Sequence, residues 1–305
     1  MVVSVVMITY AHEKYIREAI AGVLMQLCSF DVELIIANDC SPDGTDLVVN
    51  EIIKSHKNAT WIKYIKHEKN LGMMPNFIFA MQQAKGKYIA LCEGDDYWTD
   101  PYKLQKQVDF LEANPDYVLC FHRVNILLNG HIESDEKDIS EVRYQSIKDE
   151  NNITIKDLLL YGNFMHTCSV VFKNIISNFP CEMAKSSVGD YILYVLLLKD
   201  GGKIKKINNF MSVYRRGVGT YSSLNEEKML QNILIYQTCV LSVLFNEDHR
   251  QIMLDKVLNT QKQLFFKLSN YKVHEEVTVK KYLRKKLVKY KSRVFKIIGK
   301  YNEGK

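Results

Sequence analysis

The stretch "ALCEGDDYWTDP" at residues 90–101 passes from apolar residues to three carboxylates, Glu93, Asp95 and Asp96, within four positions. Like charges that close repel one another, and the apolar run before them makes each costly to ionise, so the cluster implies a cation. Hard oxygen donors suit Mg2+ or Mn2+, ions that complete their shells with phosphate oxygens and water. The plain alternative is an exposed acidic turn ahead of the "TDPYKLQKQ" helix, with Asp100 as its cap. A second acidic loop, "NDCSPDGT" at 38–45, holds Asp39 at a strand end and Asp43-Gly44 in a tight turn. A carboxylate in Asp39's position suits hydrogen bonds from a ribose or a base, whereas Ser41, Asp43 and Thr45 read as turn and helix-cap residues. Neither GxGxxG nor GxxxxGKS/T occurs, which argues against dehydrogenases and P-loop enzymes.

Parallel strands are what set such loops side by side. "VVSVVMI" (2–8), "ELIIA" (33–37), "WIKYI" (61–65), "YIALC" (88–92) and "YVLCF" (117–121) are β-branched or aliphatic runs. Helical spacing fills the gaps, from Lys14, from Thr45, from Asn76 behind Pro75, and from Lys103. That alternation predicts βαβ units: an α/β fold with a mostly parallel sheet and helices on both faces. Ligands then bind beyond the carboxyl ends of the strands. The polar stretch 129–152 predicts an exposed loop or hairpin. Residues 153–220 resume with an apolar helix, a strand at "CSVVF", the helix "DYILYVLLLKDG" and a strand near "INNFMSVYRR"; residues 225–305 read as helices only.

Composition narrows the function classes. The 305 residues are 47% hydrophobic and 25% charged, an ordinary globular balance with room for one large domain and an appendage. Seven scattered Cys without a CxxC pair read as reduced core residues, not as a zinc site or disulfide frame. No signal peptide and no uncharged run of about 18 residues is visible, so the expected compartment is the cytoplasm. The net charge of +6 is uneven: residues 271–305 carry twelve Lys and Arg against three Glu, which leaves the preceding body net negative. Such a body is not expected to bind nucleic acid, whose partners carry positive charge on the binding face.

The blocks "VVMITYAHEKYIREAIAGVLMQ", "ELIIANDCSPDGT", "KNLGMMPNF", "GKYIALCEGDDYW" and "KLQKQVDFL" together resemble inverting family 2 glycosyltransferases of the GT-A fold. The likeness is dense over residues 2–122, sparser to about 220, and absent beyond. It implies a GT-A domain over 1–222, with a nucleotide-sugar half at 1–122 and an acceptor half at 123–222, followed by a helical region at 223–305. Thr9 and Tyr10 fall where the family lines the base, and Asp39 where it contacts the nucleoside. Glu13, Asn70 and Gly72 lie in matching blocks and join the expected nucleotide-sugar site. Glu93 and Asp95 take the DxD positions and Asp96 follows, so Asp95 and Asp96 are the expected metal ligands for Mn2+ or Mg2+. Two departures stand out: Glu93 replaces the first Asp, and Ala11 stands where Asn is usual.

On the acceptor side, "SSVGDYILYVLLLKDGGKI" resembles the segment whose Asp is the catalytic base, which makes Asp190 the candidate. A plain helix cap is the alternative for it. "SVYRRGVGTYSS" resembles the closing segment over the diphosphate, so Arg215 and Arg216 are expected to pair with phosphate oxygens; the family's His is Gly217 here. His166 reads as a satisfied core histidine. Among the aromatics Tyr97, Trp98, Tyr191, Tyr194 and Tyr221, Trp98 is the one expected to touch the pocket.

The implied function is metal-dependent, inverting transfer of a sugar from a nucleoside diphosphate, with UDP the expected nucleotide. The acceptor is a hydroxyl of a glycan or lipid-linked acceptor in cell-surface polysaccharide synthesis. Ten basic residues between Lys280 and Lys300, with apolar residues at helical spacing, predict a tail that lies on the inner face of the cell membrane. A nucleotidyltransferase using the same acidic loop, or an inactive membrane-peripheral scaffold of the same fold, are the alternative readings.

Overall fold

The computed structural model describes residues 2–218 and 225–270. The first region is built as expected from alternating strands and helices: β1 Val2–Thr9, α1 Ile16–Leu24, β2 Asp31–Asn38, α2 Thr45–Ser55, β3 Ile62–Lys66, α3 Met73–Gln82 and β4 Tyr88–Leu91. A two-residue strand β5, Tyr97–Trp98, and α4 Lys103–Ala113 lead into the long β6, Tyr117–Leu128. The polar stretch 129–152 is a hairpin only at its start, and its later part carries a helix with Tyr144 buried: β7 His131–Ser134 returns along β6 through Asn129 and Gly130, both at positive φ (50° and 81°) as a tight two-residue hairpin turn requires. Then come α5 Ile139–Gln145, α6 Ile155–Tyr161, β8 Val171–Lys173, α7 Gly189–Leu198, β9 Lys203–Arg215, α8 Glu226–Val243 and α9 Glu247–Asn270.

The strands form one mixed sheet in the order β3-β2-β1-β4-β8-β6-β9-β5, with β7 on β6. β3, β2, β1 and β4 are parallel, β8 is antiparallel to both its neighbours, and β6 and β9 run parallel. The parallel run ends its strands on one rim, where Thr9, Asp39 and the loop after β4 meet.

Alternate residues of each strand feed two cores, the period of a pleated strand. Val3, Val5, Met7, Leu34 and Ile36 face the helices α1, α2 and α4. Val6, Ile8, Ile35, Ala37 and Leu91 face α3, α6 and α7. Both faces are covered, which is why these strands read as unbroken apolar runs. The sheet curls until β5 lies against α1; a Cβ at Gly22 would stand 2.8 Å from the Trp98 backbone nitrogen, so only glycine permits that approach. α3 starts three residues before the expected Asn76, because Pro75 is tolerated in the first turn of a helix.

The chain divides into two compact units, Met1–Gln261 and Lys262–Lys305. α8 and the start of α9 belong to the first: Cys239, Val240, Leu244 and Met253 join the core of α3 and α7. Of the second unit, residues 262–270 are described and are helical; the basic tail beyond them, like Tyr221, lies outside the described residues. No helix among the described residues is long and apolar enough to cross a membrane.

Candidate active site

The rim is cross-braced before any ligand is considered. Asp39, just past β2, is 2% exposed, and its two carboxylate oxygens accept from the main-chain nitrogens of Leu71 (2.6 Å) and Gly72 (2.9 Å). Asn70 donates its amide to the Asp39 carbonyl at 3.2 Å, so Asp39, Asn70 and Gly72 form one unit. The loop after β1 is tied to the loop after β2: Ala11 N donates to Ser41 Oγ, His12 N to Thr45 Oγ1, Glu13 N to Asp43 Oδ2, and Gly44 N to Glu13 Oε2. Asp43 makes the expected turn, its Oδ1 accepting from Thr45 N at 3.2 Å and Thr45 Oγ1 at 2.6 Å, but the cap position of α2 is Gly44, and Ser41 and Thr45 serve the bracing between loops, in which Glu13 also acts. Thr9 is buried, while Tyr10 is 47% exposed and presents its ring at the rim. Ala11 adopts φ +57°, the left-handed region that Asn tolerates better than Ala, which gives the family's usual Asn a backbone reason.

The acidic loop sits over this rim. Asp95 is 8% exposed and Asp96 1%. Asp96 Oδ1 accepts from Arg215 N at 2.8 Å, but its Oδ2 is buried with no hydrogen-bond partner. Burial, then the charges of Asp95, Asp96 and Asp190, push the Glu93 carboxyl well above the usual carboxylate range. Burial and Asp95 do the same to Asp96. The loop is held from behind by Arg215, whose guanidinium donates to the Asp95 carbonyl and pairs with Glu18, packed between the rings of Tyr15 (5.0 Å) and Tyr97 (4.6 Å). Arg215 is turned inward as a brace for the loop. Arg216 is the more exposed of the two and pairs with Asp138.

His12 is a member of this rim that no sequence motif singles out. Its Nδ1 lies 3.3 Å from Thr9 Oγ1 and its Nε2 3.9 Å from Asp95 Oδ2. Gly94 makes room for it, since a Cβ there would meet Thr9 Oγ1 at 2.7 Å and His12 Nδ1 at 2.8 Å. The one signal for it in the sequence is its place between Tyr10 and Glu13 in the first strand's loop.

The pocket role expected of Trp98 is corrected. Its side chain is core, 2% exposed, with Nε1 donating to the Cys168 carbonyl at 2.9 Å and Lys103 Nζ 4.1 Å from the ring. In β5 neighbours point to opposite faces, so Tyr97 meets Arg215 and Trp98 turns inside. Tyr191 and Tyr194 are core residues too. Asp100 accepts from Tyr102 N at 2.8 Å, but the cap position of α4 is Tyr102, so Asp100 stands ahead of the cap and is not the cap itself.

Asp190 stands in the first turn of α7; the cap position is Val188, so Asp190 is not the cap. Gly189 beside it packs on Met74 of α3 so closely that a Cβ would lie 2.1 Å from the sulfur. Asp190 Oδ1 accepts from Tyr191 N (2.8 Å) and Oδ2 from Asn163 Nδ2 (2.6 Å). Burial raises its carboxyl, and those hydrogen bonds oppose the rise. His166 is satisfied as expected: Nε2 meets Asp138 Oδ1 at 3.1 Å, the ring packs on Tyr214, and burial pushes it down to about 4. A separate cavity of about 860 Å³ opens at the other end of α7, near Leu196, Lys199 and Lys203, and shares no residue with the acidic rim.

A parallel rim carrying an acidic loop, faced across the site by a carboxylate on a helix N-terminus, defines a GT-A α/β protein. A mannosyltransferase of Pyrobaculum calidifontis, solved with GDP-Man and Mn2+, has this fold: TM-score 0.60 at 13% identity, covering 94% of this chain and 79% of that one. Residues 4–178 match the family described as Glycosyl transferase family 2, and the chain belongs to that family. An uncharacterized protein of Mycobacterium tuberculosis is 38% identical over 216 residues, 70% of this chain, and the chain spans only 58% of that relative's length. A UDP-Glc:alpha-D-GlcNAc-diphosphoundecaprenol beta-1,3-glucosyltransferase of Escherichia coli, WfaP, is 27% identical over 254 residues, 82% of this chain and 90% of that protein.

Proposed function

We propose that the protein transfers a sugar from a nucleoside diphosphate, with UDP the expected nucleotide, to a hydroxyl of a glycan or lipid-linked acceptor, inverting the anomeric centre. The observation that carries this reading is the placing of two sets of carboxylates by the fold: Asp95 and Asp96 on the loop after β4, with Asp96 Oδ1 held by Arg215 N, and Asp190 in the first turn of α7 with a donor on each oxygen. Family membership and the relative acting on a diphosphoundecaprenol-linked sugar support the same reading.

The rim residues fit a divalent cation by their donor chemistry. Asp95 and Asp96 offer only hard oxygens, and Asp96 Oδ2 is buried without a partner. Among the described residues no group of three or more His, Cys, Asp or Glu is arranged to hold a metal. An ion on Asp95 and Asp96 thus needs phosphate and water for the rest of its shell, as Mg2+ and Mn2+ commonly do. When bound, it supplies neutralisation of the charge that gathers on the leaving diphosphate.

The chain's own residues do the remaining work. Tyr10 and the Asp39–Asn70–Gly72 unit receive the nucleoside, Arg215 fixes the acidic loop, and Arg216 exchanges Asp138 for a phosphate oxygen. Asp190 takes the proton of the acceptor hydroxyl as that oxygen bonds to the anomeric carbon, and the bond from that carbon to the diphosphate oxygen breaks. The basic tail is proposed to hold the enzyme at the inner membrane face, where a lipid-linked acceptor resides.

The test is thermal shift with UDP, GDP and CTP, with and without Mn2+, followed by nucleotide-sugar hydrolysis. A Mn2+-dependent shift with one diphosphate supports the reading. A response to CTP alone, or none at all, refutes it.

A further inference from the structure

We propose that Asn163 is a positioning residue for Asp190: it fixes the plane of the carboxylate and holds it in the ionised form that removes a proton. The inference rests on the reading of Asp190 as base. The amide orientation is settled by its surroundings. Asn163 Oδ1 accepts from Met165 N at 3.0 Å, which commits the oxygen to a main-chain donor and leaves Nδ2 to face Asp190 Oδ2 at 2.6 Å. The residue is itself anchored, because its carbonyl accepts from Arg143 Nη1 at 2.8 Å. Gly162 before it has φ +83°, a backbone turn that brings the chain off α6 toward α7 and that favours glycine.

Asp190 therefore holds one donor on each oxygen, Tyr191 N and Asn163 Nδ2, and keeps a lone pair on each. The main-chain donor comes with the helix whatever surrounds it. Asn163 is the side chain that adds a hydrogen bond to the charged form against the desolvation that favours the neutral one. The titratable groups that act on Asp190, or that it acts on, are Glu93 from the acidic loop, His166 from the segment before β8, and Tyr194 from α7 itself. His166 is pushed down to about 4 and Tyr194 is raised, so both are uncharged at neutral pH. Glu93, with its own carboxyl raised, contributes no donor anchored as Asn163 is.

The experiment reads the carboxyl directly and needs no substrate. The full chain is labelled with 13Cγ-aspartate, the Asp190 resonance is assigned by its loss in Asp190→Asn, and its pH titration is followed in wild type, Asn163→Leu and Asn163→Asp. Leu has the same shape without a donor and raises the Asp190 titration by about one pH unit, a tenfold gain in proton affinity. Asp in its place sets a second carboxylate on the same oxygen, and the pair titrates in two separated steps. A residue that served only to hold the loop would lower thermal stability and leave the titration where it is. An Asp190 titration unmoved in both variants overturns the inference, and the isosteric Asp variant alone decides the matter should the Leu variant not fold. The base assignment is judged separately: if Asp190→Asn retained sugar transfer, the proposed reaction would fall while the titration still decided whether Asn163 governs this carboxyl.

Discussion

Two carboxylates stand on opposite sides of the site, Asp96 buried and Asp190 half-buried, and their hydrogen bonding differs in kind. Asp96, on the acidic loop, has one oxygen satisfied by Arg215 N and the other, beside Asp95, without a hydrogen bond of normal geometry, the Cys168 thiol being a weak donor acting on the same carboxyl. Asp190, on α7, has a donor on each oxygen. A buried carboxylate lacking a partner next to like charge is unstable until something positive arrives. One with both oxygens served is stable as an anion and keeps free lone pairs for a proton. Under the proposed function, the same side chain serves a cation on the donor side and acid–base work on the acceptor side.

The largest effect that separates the two is on turnover. Asp190→Asn keeps the side chain's shape but cannot accept a proton as a base, and general-base removal costs on the order of 10²–10⁴-fold. Transfer should fall by about that factor while Mn2+-dependent UDP binding, read by calorimetry, stays at the wild-type value. Asp95→Ala should lose both. Equal behaviour of the two variants would erase the distinction between cation site and base.

A second contrast is in pH dependence. The folded pKa of Asp96 lies above its unfolded value of about 4, so between those two values the folded state binds more protons than the unfolded chain. Its contribution to stability is accordingly lost as pH rises above about 4. Relative to wild type, Asp96→Asn should gain up to about 1.4 kcal/mol of stability per pH unit across that window. Urea midpoints measured from pH 4 to 8 without metal give the difference; parallel curves for the two proteins would mean Asp96 has a partner after all.

How far the chain's sequence foretold these arrangements depends on the range of the contact. Glu93, Asp95, Asp96, the Asp43 turn and the βαβ order are local patterns, and all were legible. Trp98 misled because proximity to the acids in sequence says nothing of which way a strand residue points; a period of two sent Tyr97 and Trp98 to opposite faces. Arg215 reaches Glu18 and the Asp95 carbonyl across most of the domain, and Asn163 meets Asp190 across 27 positions. Such pairings follow from the way β9 and α6 return to the rim, which no spacing in one sequence encodes. Ala11 shows the middle case: the departure from Asn was visible, but its reason, a left-handed φ, was not.

Beneath the acidic loop lies a cation that does not neutralise it. Lys103 is fully buried, with Nζ on Gln107 Oε1 at 2.8 Å and above the Trp98 ring, and burial lowers it to about 8. Below pH 8 the folded state carries the cost of a desolvated ammonium. Between about 8 and the unfolded value near 10.4 the unfolded chain binds more protons, so this residue's share of stability rises with pH. Lys103→Met should remove that rise, flattening the urea midpoint over pH 8–10 by an amount on the order of 1 kcal/mol or more. An unchanged slope would place the ammonium's titration elsewhere and reopen Lys103 as a counter-charge for the rim.

The smallest effect concerns the backbone under Tyr10. Ala11 carries a conformational penalty at φ +57° that Asn, whose short polar side chain tolerates that region, largely avoids. The Ala11 nitrogen keeps its bond to Ser41 Oγ in either case, because the main chain does not move. Ala11→Asn should stabilise the protein by about 0.5–1 kcal/mol, and Ala11→Gly by less, since glycine also frees the unfolded chain. Denaturant midpoints measure both. A stabilised Asn variant that binds UDP as wild type does would show that Ala11 acts on the fold of the rim and not on the ligand; a tighter UDP complex would show that the missing amide had belonged to the nucleotide site.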